Sequence, residues 1–215
     1  DGLGRTDRNN QNIWLIDSAG GDARQITDDG CQYAGLRWSP DGSRLLAIGT
    51  LGPQSNTMLG QVRIVGLDGT ATSPTDGWGS ADTAEWTPDG RAVLFAGVPA
   101  GKDIGTQNSL WRVELDLADS GKPARSFTNL TAALPFQVAG RLQVDMPTPV
   151  ARQPRIVCDG KSAFVRVQCG GEVRIYRVGL DGSAPPEVVV GGERFCDVVG
   201  VVGDRLLFWA NAINN

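Results

Sequence analysis

A run of thirteen residues in this chain is repeated 48 positions later. Leu36-Arg37-Trp38-Ser39-Pro40-Asp41-Gly42-Ser43-Arg44-Leu45-Leu46-Ala47-Ile48 is answered by Ala84-Glu85-Trp86-Thr87-Pro88-Asp89-Gly90-Arg91-Ala92-Val93-Leu94-Phe95-Ala96. Each copy reads as a short strand ending in Trp-(Ser/Thr)-Pro-Asp-Gly, then a second strand. Proline presets φ for a turn, aspartate bonds the backbone just ahead of it, and glycine takes the positive φ before the next strand. The repeat therefore predicts two equivalent hairpins.

A weaker copy, Arg155 to Val165, keeps Asp159-Gly160 but puts Ile156 at the tryptophan position and Cys158 at the proline position. A further one, Val201 to Trp209, inverts the turn pair to Gly203-Asp204. Between these lies a second hairpin type, an alternating strand followed by a turn with glycine or aspartate: Asn12 to Asp17, Gln61 to Gly69, Ser109 to Asp116 and Glu172 to Gly182. Asp17 and Asp68 are 51 residues apart and Asp68 and Asp116 are 48 apart, so both types share one period.

The first type has continuous apolar second strands (Leu45 to Ile48, Val93 to Ala96, Leu206 to Ala210), as strands covered on both faces have. In the second type Trp111, Val113 and Leu115 alternate with Arg112 and Glu114, so one face is wet. Two buried and two half-wet strands per period match the four-stranded blade of a β-propeller. A β-sandwich of similar hairpins is the alternative, but it has no reason to repeat Trp-x-Pro-Asp-Gly at a fixed interval. The expected fold is all-β: about four blade equivalents of four antiparallel strands, one propeller segment spanning residues 1–215. Residues 117–154, with Asp119-Ser120-Gly121-Lys122-Pro123 and Met146-Pro147-Thr148-Pro149, show no clear strand period and read as a long excursion over one rim.

The order is outer hairpin first and inner hairpin last. A closed four-bladed ring would have to join Asn12–Thr27 to Val198–Ala210, whereas an arc of a larger ring needs no such coincidence. The chain starts at Asp1 without methionine and ends at Asn215 after an apolar run, so a fragment is expected. An arc presents an apolar face and an unpaired edge at each end, so self-association is expected too.

Other classes are disfavoured by composition. A net charge of −4 with scattered basic residues gives no footprint for nucleic acid. The longest apolar runs, such as Ile13 to Ile16 and Val198 to Val202, are too short for a membrane span. Cys31, Cys158, Cys169 and Cys196 have neither zinc-knuckle spacing nor the density of a disulfide scaffold, and read as buried free thiols in a reducing, cytoplasmic compartment, with one bridge as the alternative.

The chain contains no histidine. A serine nucleophile therefore has no imidazole base, and the Gly-x-Ser-x-Gly elbow is missing as well. The nearest candidates, Gly77-Trp78-Gly79-Ser80 and Gly182-Ser183, lack its flanks. Asp28-Asp29, Asp41, Asp89, Asp159 and Asp181 stand at turns where backbone bonding accounts for them better than calcium does. Gly191-Gly192 is no dinucleotide fingerprint, since no helix follows it. Asn129-Leu130-Thr131 has the form of a glycosylation sequon by chance. Five of the six tryptophans, Trp14, Trp38, Trp86, Trp111 and Trp209, belong to the strand pattern. Trp78, in a glycine-rich loop, is the one free to face a channel or a partner. No catalytic, cofactor-binding or metal-binding residue is expected, and no cofactor.

The segment Asp1-Gly2-Leu3-Gly4-Arg5-Thr6-Asp7 leading into Asn12 to Asp17 resembles the Asp-Gly-x-Gly-x-Thr-Asp entry to central propeller blades in acylaminoacyl-type members of the prolyl oligopeptidase family. Phe127 to Leu134, Asp145 to Pro154, Glu172 to Gly182 and Gly192-Glu193-Arg194 look like later landmarks of the same propeller, in the same order. Trp-Ser-Pro-Asp-Gly alone is shared with TolB-like propellers and is less specific. The resemblance implies a seven-bladed propeller followed by an α/β-hydrolase domain, with the propeller admitting peptides and excluding folded proteins. This sequence departs from the repeat at Ile156, Cys158 and Cys196, which puts the third hairpin's geometry in question.

The function this implies is the non-catalytic propeller portion of a serine peptidase. Its partners would be the hydrolase domain, absent from this chain, and the peptides that domain cleaves. The alternative is a stand-alone TolB-like propeller that binds proteins through a rim or channel. A propeller enzyme with a central metal held by carboxylates alone ranks below both.

Overall fold

A computed structural model of the chain describes residues 11–51, 59–102, 105–116, 122–139, 155–192 and 194–212, and these contain strands and turns but no helix. A two-stranded sheet comes first, β1 (Trp14–Leu15) with β2 (Arg24–Gln25). The next sheet has the order β3 (Cys31–Trp38), β4 (Arg44–Leu51), β5 (Gly60–Gly66), β6 (Ala71–Thr72). The third runs β7 (Gly79–Trp86), β8 (Ala92–Pro99), β9 (Ser109–Asp116), β10 (Lys122–Asn129).

In the fourth sheet the first position is shared by two short strands, β11 (Gln137–Val138) and β12 (Ile156–Cys158). Both pair with β13 (Ser162–Cys169), which is followed by β14 (Glu172–Gly179) and β15 (Glu187–Val190). A last two-stranded sheet joins β16 (Arg194–Val202) to β17 (Arg205–Ala212). All these pairings are antiparallel.

The sheets stack face to face, and the alternation within each second strand explains why those strands are apolar throughout. Leu45 and Ala47 of β4 turn back to Ile13 and Ile26 beside the first sheet, while Leu46 and Ile48 turn forward to Trp86, Val93 and Phe95 of the third. Val93 and Phe95 thus face back, and Leu94 and Ala96 face forward to Ile156, Val165 and Val167. Phe164 and Ile175 then meet Cys196 and Val198 in the last interface. β4, β8 and β13 each feed two cores, so their faces are apolar apart from the ion-paired Arg166, whereas β17, the last second strand, is covered on one side only and leaves Leu207 exposed.

One arginine ties each interface. Arg24 Nη2 donates to the Leu67 carbonyl (2.9 Å) and Arg112 Nη1 to the Leu180 carbonyl (2.9 Å). Arg37 pairs with Glu85 and Arg166 with Asp197, each at 3.0 Å.

The Pro-Asp-Gly turns form as their chemistry requires. Ser39 Oγ donates to Asp41 (2.6 Å) and accepts from the Arg44 N–H (2.9 Å), and Asp41 also accepts from the Ser43 N–H (3.0 Å). Thr87 and Asp89 repeat the arrangement with Ala92 and Arg91. Gly42 and Gly90 sit at φ +71° and +68°. The third hairpin, without the tryptophan and proline, keeps the aspartate and glycine but closes more tightly: the Asp159 N–H donates to the Ser162 carbonyl and Cys158 pairs with Ala163, where the first two hairpins close through Ser39–Arg44 and Thr87–Ala92. Asp159 accepts from the N–H groups of Lys161 and Ser162, and Gly160 takes φ +94°.

The stretch 117–154 is more regular than its composition suggests. Its first part supplies β10, the outermost strand of the third sheet, and Gln137–Val138 begins the innermost strand of the fourth. Pairing with β9 imposes the strand, and Phe127 packs against the core as its anchor. Residues 140–154 lie outside the described residues.

Four successive interfaces, four-stranded sheets with their first strands clustered, and no strand pairing between the first sheet and the last among the described residues define an incomplete β-propeller of four blade equivalents.

Candidate functional site

The first strands of successive blades, β3, β7, β12 and β16, lie side by side and border an open axial hollow of about 280 Å³. Arg37, Glu85, Trp86, Arg155 to Cys158, and Val199 to Val201 line it. Arg37 and Glu85 hold the same place in β3 and β7, opposite Leu46 and Leu94; Arg155 aligns with them in the sequence repeat but stands just before β12, where Val157 takes that place opposite Phe164. The axis thus carries arginine, glutamate and arginine in turn.

Bulges help to aim these side chains. The register of β3 shifts between Ala34 and Arg37, that of β7 between Ala81 and Thr83, and that of β16 between Val198 and Gly200. An extra residue in an inner strand bends it and re-aims the side chains beyond the bulge. Arg37 Nε donates to Glu85 Oε2 at 3.0 Å, and Glu85 Oε1 accepts from the Trp86 N–H at 3.1 Å.

Burial pushes the Glu85 carboxyl above the usual range, opposed by the charges of Arg37 and Arg155 and by the Trp86 N–H. Burial likewise raises the Cys158 thiol, with nearby Asp159, Glu85 and Asp89 adding to the effect. A thiol so raised stays protonated and is a poor nucleophile. Trp86 is buried between blades against Leu46, Ile48 and Phe95, and its indole Nε1 has no hydrogen-bond partner. Hydrogen-bond donors, one carboxylate and apolar walls can hold a polar chain; they contain no base paired with a nucleophile.

The residues weighed in the sequence fall elsewhere. Cys31, Cys158, Cys169 and Cys196 are all free thiols, Cys158 half-buried and the others buried. Asp41, Asp68, Asp89 and Asp181 bond their own turns, and those bonds lower their carboxyls, Asp41 to about 2. Asn129 Oδ1 accepts from the Thr131 N–H (3.0 Å), and Thr131 Oγ1 accepts from the Leu110 N–H (2.8 Å) in the core, which is the structural use of that sequon.

Trp78 does not face the axis. It packs against Phe95, Trp111 and Phe127, with ring centroids 4.8, 5.1 and 5.5 Å away, so the loop glycines serve to fold it back onto its own blade.

No family model and no curated protein matches the chain. Solved structures do. A TolB-type protein of Agrobacterium tumefaciens is 22% identical over 82% of this chain and 55% of its own, with a TM-score of 0.54. A puromycin-hydrolyzing peptidase of Mycobacterium tuberculosis is 15% identical over 86% of this chain and 28% of its own, with a TM-score of 0.56. The β-propeller domain of the Trilobed protease from Pyrococcus furiosus, reported to have an open velcro topology, is 11% identical over 94% of this chain and 70% of its own, with a TM-score of 0.50.

The chain shares their propeller fold. It spans about half of the TolB-type protein and little over a quarter of the peptidase, and at these identities the likeness is one of fold.

Proposed function

We propose that this chain is the non-catalytic propeller portion of a serine peptidase of the prolyl oligopeptidase family, gating peptide access to an α/β-hydrolase domain that it does not itself contain. The axial cavity carries the reading. It is a hollow of about 280 Å³ among the inner strands, where a complete propeller has its central channel, and peptides would pass there once the missing blades close the ring. Arg37, Glu85 and Arg155 offer a peptide charged and hydrogen-bonding partners along the way, and folded proteins are too wide to enter. The free thiols fit a reducing, cytoplasmic setting.

A histidine-free chain cannot run the serine-histidine-aspartate cycle. Purified alone, it is expected to leave chromogenic peptides intact; serine-dependent turnover by this chain would overturn the proposal. The reading frame downstream of residue 215 supplies the positive arm, since a Gly-x-Ser-x-Gly hydrolase following in frame supports the peptidase.

A second reading, a TolB-like scaffold binding proteins through its rim, is supported by the Trp-(Ser/Thr)-Pro-Asp-Gly hairpin that TolB-like propellers share. Identity does not separate the two readings, since two TolB structures are 22% and 14% identical and the two peptidases 15% and 11%. A stop codon with no hydrolase following would select it.

A further inference from the structure

Two equivalent positions in the first strands have very different surroundings. Trp38 pairs with Leu45 as Trp86 pairs with Val93, yet Trp86 is 4% exposed, because it lies against the blade before it, and Trp38 is 51% exposed. Leu36 is likewise open while its counterpart Ala84 is buried. At the other end of the chain, Leu207 of β17 stands where Leu46 stands in β4. Leu46 is fully buried under the next blade, and Leu207 is 63% exposed. The molecule therefore displays, at opposite ends, the two halves of one interface that it also builds internally between the second and third sheets.

The match extends to the polar and backbone groups. Arg44, at the start of β4, lies over the Trp86 ring at 5.5 Å. Arg205 occupies that position at the start of β17, ready to cover a tryptophan placed as Trp38 is. In the complete blades the second strand pairs with the third, as β4 with β5 and β8 with β9. Among the described residues β17 has no third strand beyond it, and β1 has no second strand before it. The open edge of β17 and the open edge of β1 are thus the two partners of the missing pairing.

We infer that in the 215-residue chain these surfaces take a second copy. The β16–β17 hairpin of one copy completes the blade begun by β1 and β2 of the other, with β17 antiparallel to β1. Leu207 and Arg205 then cover Trp38. Because the two halves differ, the contact is head-to-tail and must either close or propagate. Two copies of four blade equivalents close into a ring of about eight blades, within the range propellers occupy. The inference stands apart from the peptidase proposal. It concerns this chain alone, and the same faces would receive flanking blades in a longer polypeptide.

Light scattering coupled to size exclusion, over a wide concentration range, tests it. The expected mass is twice 22.8 kDa. Trp38→Asp and Leu207→Asp change side chains that are exposed in the single chain, so each variant should keep its circular dichroism spectrum and lose dimer affinity by roughly 30-fold or more, as hot-spot substitutions do.

Mixing the two variants supplies the decisive arm. A mixed dimer regains one unaltered interface, so association returns on mixing. A monomer at every concentration overturns the inference and leaves both faces to flanking chain. A dimer indifferent to both substitutions, or one not restored on mixing, overturns it by placing the contact elsewhere. Masses that grow without limit overturn the closed ring.

Discussion

Trp38 and Trp86 are 48 residues apart, sit in nearly the same local sequence and end the same kind of strand, yet one is half in water and the other is sealed. Nothing within either repeat accounts for this. The difference lies in the preceding blade: Trp86 rests on Leu46, Ile48 and Arg44, whereas the sheet before Trp38 has only β1 and β2 among the described residues. In a repeat architecture the local code specifies a unit and the neighbour specifies its burial, so stability is held in the interfaces between units.

The sharpest way to break that comparison is to truncate both tryptophans. Trp86→Ala should cost about 3–5 kcal/mol in urea denaturation, as large-to-small core substitutions do. Measured at concentrations where the chain is monomeric, Trp38→Ala should cost about 0.5 kcal/mol or less, in line with ordinary surface changes. Equal losses would mean that Trp38 is covered in solution by part of its own chain.

The two inter-blade ion pairs give a second, smaller contrast. Arg166 and Asp197 are almost wholly buried, while Arg37 and Glu85 keep part of their side chains in water. Asp197→Ala leaves a guanidinium buried without its carboxylate and should cost about 3–5 kcal/mol at most, with Arg166→Met added to it restoring much of the loss. Glu85→Ala lets Arg37 turn to solvent and should cost about 1 kcal/mol or less.

Their pH dependence has a definite sign. Burial raises the carboxyls of both Asp197 and Glu85 above their ordinary values, against the pull of their arginines. Their contribution to stability is therefore present below the unfolded-state value and is lost as pH rises through the folded one. Titration of the two carboxyls by NMR should find both midpoints above those of the turn aspartates; a midpoint below the ordinary range for Asp197 would show that the arginine outweighs burial.

How far the sequence discloses this molecule depends on whether a feature is local. The hairpins, the blade period and the two-sided burial of second strands derive from turn chemistry and from runs such as Leu45 to Ile48, because each is settled within a few residues. The strand at 122–129 is hidden, since Pro123 and a register shift break its pattern and only pairing with β9 imposes it. The axial cavity is hidden for a different reason. Arg37, Glu85 and Arg155 look like solvated charges one at a time, but aligning the repeats in sequence puts all three in one column, just before Trp38, Trp86 and Ile156. That column is the available signal. Trp78 misleads because loop glycines suggest exposure, while here they fold the ring back onto Phe95 and Trp111.

The turns sharpen the comparison by showing where it should vanish. Asp41 and Asp89 each accept from a neighbouring hydroxyl and from a backbone N–H two residues on, and these bonds hold both carboxyls below the usual range, Asp41 at about 2. A lowered carboxyl contributes stability above its unfolded-state value, near 3.8, and the contribution is lost as pH falls through the folded value. Asp41→Asn and Asp89→Asn should therefore have their smallest effect under strongly acidic conditions and a modest one at neutral pH, with similar profiles despite the different burial of Trp38 and Trp86. Removing the hydroxyls separates the sites again. Thr87→Val strips a buried N–H, that of Ala92, of its side-chain acceptor and should cost about 1–3 kcal/mol, while Ser39→Ala, whose partner Arg44 N–H is nearer water, should cost about 0.5–1.5 kcal/mol. Matching acid profiles with unequal hydroxyl losses would assign the turn to its own residues and its depth to the neighbouring blade; unequal acid profiles would mean that the neighbour reaches into the turn itself.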